Sequence, residues 1–100
     1  MDSKYTRYVI LLNDKTNKTT TKEIVKAHVQ HLKDLDKQEK LILCGPFTNY
    51  AGGMIIIKAN NAEEAKQIAE SDPFVKEGVR TYELRVLELS CEGNNHMGMG

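Results

Sequence analysis

Apolar positions fall into four short runs and two longer periodic stretches, and each type predicts its own element. Residues 7–13 (RYVILLN) are rich in β-formers and apolar at both odd and even positions, which predicts a strand buried on both faces. Asn13, Asp14 and Lys15 close it as turn residues. Residues 15–21 are polar and threonine-rich, and Thr20 with Glu23 three places on reads as a capping box ahead of a 3.6-residue period. A helix is predicted from there to about Gln38. Strand-like runs follow at 40–44, closed by Gly45-Pro46, and at 54–59, opened by Gly52-Gly53. These predict antiparallel neighbours across an irregular loop that carries Tyr50 and could bring it to a pocket.

Asn60 and Asn61 cap a second predicted helix, with Ala62, Ala65, Ile68 and Ala69 as its apolar face. It ends at Ser71-Asp72-Pro73, because a residue before proline is pushed out of the helical region. Pro73 then suits the first position of a short turn over 74–77, which Gly78 would close in a left-handed conformation. In the last run, 81–89, Tyr82, Leu84 and Val86 alternate with Thr81, Glu83 and Arg85, the pattern of a half-buried strand. The alternation slips at Val86-Leu87, where a bulge or a strand end is expected. Residues 1–90 form one domain, and the glycine- and asparagine-rich tail 91–100 is expected to be disordered.

The order strand, helix, strand, strand, helix, strand, joined by right-handed crossovers, predicts an α+β fold of ferredoxin-like type. It is a four-stranded antiparallel sheet with the first and third strands central and both helices on one face. The two strands assigned to the centre are the most apolar. Two helices can cover only one face of them, and a bare apolar sheet face of several hundred square ångströms is rarely tolerated. A twofold homodimer packed sheet to sheet is the simplest closed solution.

Charge narrows the partners. Fourteen basic and fourteen acidic residues cancel and form no long block, which argues against a nucleic-acid binder. The opening Met1-Asp2-Ser3-Lys4 lacks a signal-peptide profile, and the longest apolar run is too short to span a bilayer. A soluble cytoplasmic protein, with no membrane partner, is expected. Cys44 and Cys91 form no Cys-x-x-Cys pair; Cys44 reads as a packed small residue, and reduced thiols suit the cytosol. Cys91 with His96 is too small a set for a metal site, and Gly52-Gly53 lacks the Lys-Ser/Thr and helix of a phosphate loop.

His28 is the candidate for chemistry. On a helix it lies within the stripe of Ile24, Val25, Val29, Leu32 and Leu35, flanked by Ile24 and Leu32 along one ridge, and so points inward. His31 falls on the polar shoulder and is expected to face solvent. A histidine on an apolar face is more often a satisfied core residue than a catalyst, unless a carboxylate fixes its tautomer. Asp72, at the joint after the second helix, is the best-placed carboxylate. It also suits the cap of the following turn, and its two oxygens allow both roles.

Ala27-His28-Val29, then residues 41–46 ending in Gly45-Pro46, then Ser71-Asp72-Pro73-Phe74-Val75 running to Gly78-Val79, resemble the YCII-related (YciI-like) family over residues 5–89. That resemblance implies a dimeric α+β barrel and an active-site pair made of His28 and Asp72. Two positions depart from it: Val25 and Glu39 stand where members often have arginine and glycine. An anionic substrate would then need another cation, such as Arg80 or Lys26. The resemblance implies general acid/base chemistry of isomerase or lyase type on a small organic acid, with no cofactor or metal. The alternatives are a non-catalytic module that binds or senses a small ligand and, less favoured, a cofactor-poor monooxygenase.

Overall fold

Side chains alternate strictly along β1 (Thr6–Asn13): Thr6, Tyr8, Ile10 and Leu12 are buried, while the residues between them are half-buried. The computed structural model describes residues 4–14 and 16–100. Lys15, read from the sequence as a turn residue, and Met1, Asp2 and Ser3, compared there with a signal-peptide profile, lie outside the described residues. β1 pairs antiparallel with β3 (Gly53–Ile57) on one side and with β4 (Thr81–Glu88) on the other, and β2 (Leu41–Pro46) flanks β3. The strand order is β2-β3-β1-β4, so the two most apolar strands are central, as their patterning predicts.

Between β1 and β2 runs α1 (Lys22–Lys37), and between β3 and β4 runs α2 (Ala62–Ser71) followed by the single turn α3 (Pro73–Lys76). Leu35 of α1 and Ala65 and Ala69 of α2 join Tyr8, Ile10, Leu12, Ile55 and Ile57 in one buried cluster. Both helices therefore cover the same face of the sheet, and the α+β, ferredoxin-like arrangement is the one expected. The other face holds the cross-strand pairs Val9 with Ile56 and Leu11 with Met54, with exposed Leu43 and Leu87 on the flanking strands.

Several local expectations change. The cap of α1 is Thr21, whose hydroxyl accepts from the Ile24 N–H at 3.2 Å, and not Thr20, because the helix starts one residue later than the capping-box spacing suggested. Asn61 caps α2, while Asn60 donates from its backbone and side chain to Glu64. β4 keeps an unbroken register with β1 from Thr81 to Glu88, so the slip at Val86-Leu87 makes no bulge. Val86 pairs with buried Tyr8 on the central strand yet is itself 62% exposed on the edge strand. The irregularity falls instead in β2, between Leu41 and Leu43.

Cys44 is exposed on that edge strand and not packed. Residues 91–100, expected to be disordered, form a 3₁₀ turn over Glu92–Asn94 and a left-handed turn over Asn95–Gly98. The Tyr5 hydroxyl donates to the Gly93 carbonyl at 2.7 Å, and the Asn94 amide to the Leu89 carbonyl at 2.7 Å. Among the described residues no helix is long and apolar enough to cross a membrane.

Candidate functional site

Asp72 ends one helix and starts the next. Its extended backbone, imposed by the following proline, breaks α2, and its carboxylate Oδ1 accepts the Phe74 N–H at 2.9 Å to cap α3. Pro73 takes the first helical position, where its missing N–H costs nothing. Gly78, at φ +73°, then turns the chain back in the left-handed conformation that glycine adopts without penalty. The N–H groups of Val79 and Arg80 both donate to the Phe74 carbonyl, at 3.0 Å each. One short turn thus delivers Asp72, Phe74 and Arg80 to one place.

α1 packs across this turn and brings His28 to it. His28 Nδ1 lies 2.8 Å from Asp72 Oδ1. The imidazole also stacks on the Phe74 ring, with centroids 3.8 Å apart and planes 7° from parallel. Asp72 is 1% exposed, so the pair is dry on the carboxylate side, while the His28 side chain keeps 13% of its surface open. Asp72 meets His28 and caps α3 through the same oxygen, and among the described residues Oδ2 is buried without a hydrogen-bond partner. A carboxylate beside Nδ1 favours the tautomer that carries the ring proton there and leaves Nε2 as an acceptor.

His28 forms part of the wall of an open cavity of about 430 Å³ between α1 and the sheet. Val25, Val29 and Leu32 of α1 line it together with Phe74 and Arg80 from the turn after α2. The apolar stripe of α1 therefore divides. Leu35 enters the core, whereas Val25 and Val29 stay about 40% exposed along the cavity. Gly52 lines it as well; at φ +104° a Cβ there would collide with the Leu12 carbonyl oxygen. Tyr50, the loop aromatic expected near a pocket, is 72% exposed and does not line the cavity, and neither does Lys26.

Three contributors escaped the sequence reading. Phe74 was seen as part of a motif but not as the surface on which His28 lies. Cys44 lines the cavity, its thiol pushed up by partial burial and by nearby Asp36, so it stays protonated. His31, assigned to solvent, is half-buried; burial lowers its pKa, against the opposing charge of Asp72. No signal in helical phase separates these outcomes, since they depend on what packs across from α1. Among the described residues no group of three or more His, Cys, Asp or Glu side chains is placed to hold a metal ion.

Comparison with known proteins places this geometry in context. A family model for the YCII-related domain matches residues 6–88. The uncharacterized protein YjpA of Bacillus subtilis (strain 168) is 32% identical over 71 residues, which is 71% of this chain and 84% of that protein. A solved structure of 5-chloro-2-hydroxyhydroquinone dehydrochlorinase (TftG) from Burkholderia phenoliruptrix AC1100, in complex with 2,5-dihydroxybenzoquinone, matches with a TM-score of 0.64. The sequences are 19% identical, and the match covers 88% of this chain and 97% of that one. That likeness is one of fold.

Proposed function

The chain belongs to the YCII-related family, and from that premise we propose that it is a small-molecule enzyme with His28 as general acid/base and Asp72 as the group that orients it. The observation that carries the reading is the 2.8 Å His28–Asp72 contact on the wall of an open cavity, with Nε2 free of hydrogen bonds among the described residues. A sealed pair would suit a core histidine; this one has room for a ligand beside it.

In this reading Nε2 removes a proton from a carbon next to a carbonyl group. The C–H electrons move into the adjacent bond to form an enolate, and Asp72 stabilises the imidazolium. The proton then returns to a different carbon, giving an isomer, or the enolate expels a leaving group from the neighbouring carbon, giving an elimination. Such proton transfer contributes about a hundred- to ten-thousandfold in rate and needs neither metal nor nucleotide. The fold neighbour is described as a dehydrochlorinase and holds a dihydroxybenzoquinone, which supports a small organic acid or enol as the substrate class.

The bare sheet face, with its Val9–Ile56 and Leu11–Met54 pairs, supports a homodimer closed sheet to sheet into an α+β barrel. Two unpaired thiols, Cys44 and Cys91, suit a reducing, cytoplasmic setting. A binding module without chemistry is the second reading. It is favoured by uncharged Val25 on the cavity wall, where the family pattern often has arginine.

The test is turnover against a panel of small keto and hydroxy acids, lactones and halogenated hydroquinones. His28→Gln should abolish turnover of whichever compound is consumed while leaving far-UV dichroism and oligomeric state unchanged. Saturable binding without turnover by the native protein would establish the binding module instead.

A further inference from the structure

Among the described residues that line the cavity, Arg80 is the one that always bears charge, since the Cys44 thiol is held protonated and the others, His28 apart, are apolar or glycine. Among the described residues no carboxylate lines the space. Its guanidinium is held from two sides by one nitrogen: Nη1 donates to the Val79 carbonyl at 2.8 Å and pairs with Asp14 Oδ1 at 3.1 Å. Nε and Nη2 have no hydrogen-bond partner among the described residues, and together they form the planar edge that matches a carboxylate in bidentate fashion. The guanidinium also sits 5.3 Å from the centre of the Phe74 ring on which His28 stacks. Base and cation thus share one aromatic support, and both line the same cavity.

We propose that Arg80 is the anion-binding residue of this cavity, and that the ligand it selects is a small carboxylate whose charged group docks on the Nε–Nη2 edge while its opposite end meets His28. The substrate class rests on the proposed reading of the site as one for small organic acids. The binding claim does not need His28 to be catalytic. Asp14 leaves the Nε–Nη2 edge open, since it pairs with Nη1, but its charge partly neutralises the guanidinium and so weakens the pull on a second carboxylate.

The experiment compares 2,5-dihydroxybenzoate with 2,5-dihydroxybenzamide, which have nearly the same shape but differ in charge. Binding to the full chain is followed by calorimetry at about pH 8.5, above the ordinary imidazole range. The acid should bind about ten- to a hundredfold more tightly than the amide. Arg80→Gln should erase that preference, Arg80→Lys should keep part of it, and Asp14→Asn should strengthen it. His28→Gln should retain it, so a protein that loses turnover with His28 yet keeps the preference separates the two proposals. Equal binding of acid and amide, absence of saturable acid binding, or a preference that survives Arg80→Gln would each overturn the assignment. Should Arg80→Gln fail to fold, Asp14→Asn decides: no gain in acid affinity sinks the proposal.

Discussion

The ring of His28 lies flat on that of Phe74, 3.8 Å between centroids and 7° from parallel, while the backbone N–H of the same Phe74 donates to the carboxylate oxygen that meets His28. Phe74 therefore positions both members of the pair, one through its side chain and one through its main chain. Stacked aromatic pairs contribute about 0.5–1.5 kcal/mol beyond the area they bury. Phe74→Leu should lower stability by about 1–3 kcal/mol in urea unfolding, yet leave a protected Nδ1–H proton signal from His28, because the backbone cap survives.

Asp72 variants separate structure from chemistry. Asparagine caps helices as well as aspartate does, so Asp72→Asn should cost little stability but remove the charge that holds the His28 proton on Nδ1. Nitrogen NMR of the imidazole should then show a mixed tautomer where the native protein shows one. Asp72→Ala loses the cap and strands a His28 N–H, which together cost about 2–4 kcal/mol.

Glu39 sits at φ +59° just past the end of α1, where the N–H of Lys40 reaches the Leu35 carbonyl at 2.9 Å and that of Glu39 the Asp36 carbonyl at 3.0 Å. This is a Schellman ending, and a side chain there carries left-handed strain of about 1–2 kcal/mol, partly offset in glycine by its greater chain entropy. Glu39→Gly should raise stability by about 0.5–1 kcal/mol, read as a higher urea midpoint with unchanged slope.

Val9 stands opposite Ile56 at the centre of the bare sheet face. Placing a charge there should not disturb the helix-covered core but should oppose burial of that face against another copy. The native chain is expected to sediment as the proposed dimer, and Val9→Glu as a folded monomer at the same concentrations. A native chain that is monomeric throughout would refute the sheet-to-sheet dimer.

His31 makes stability sensitive to acid. Burial lowers its pKa below the ordinary imidazole value in the folded protein, with Asp72 and Asp34 opposing and His28 adding to the effect. The unfolded chain then binds the proton more readily, so the stability from neutral His31 is present above the ordinary imidazole pKa and is lost as pH falls through the lowered folded value. His31→Gln should flatten stability between about pH 7 and pH 5, measured by urea midpoints across that range.

How much of this was legible in the chain can be traced residue by residue. The alternation of Tyr8, Ile10 and Leu12, the apolarity of residues 54–57 and the proline after Asp72 specify strands, strand order and the break before α3 through local sterics and periodicity. Those act within a few residues. Helical phase likewise turns His28 inward. It does not say what His28 meets, nor that Val25 and Val29 border a cavity while Leu35 enters the core.

The sequence alone therefore determined the elements, the central strands and the inward histidine, because backbone preference and apolar period are local properties. Only the tertiary structure decided that His28 shares one Asp72 oxygen with the Phe74 N–H, that His31 is half-buried, that Cys44 is exposed, and that Arg80 borders the same space. Each of those depends on how α1 packs across the turn at residues 72–80, a contact between segments some forty residues apart that no local pattern encodes.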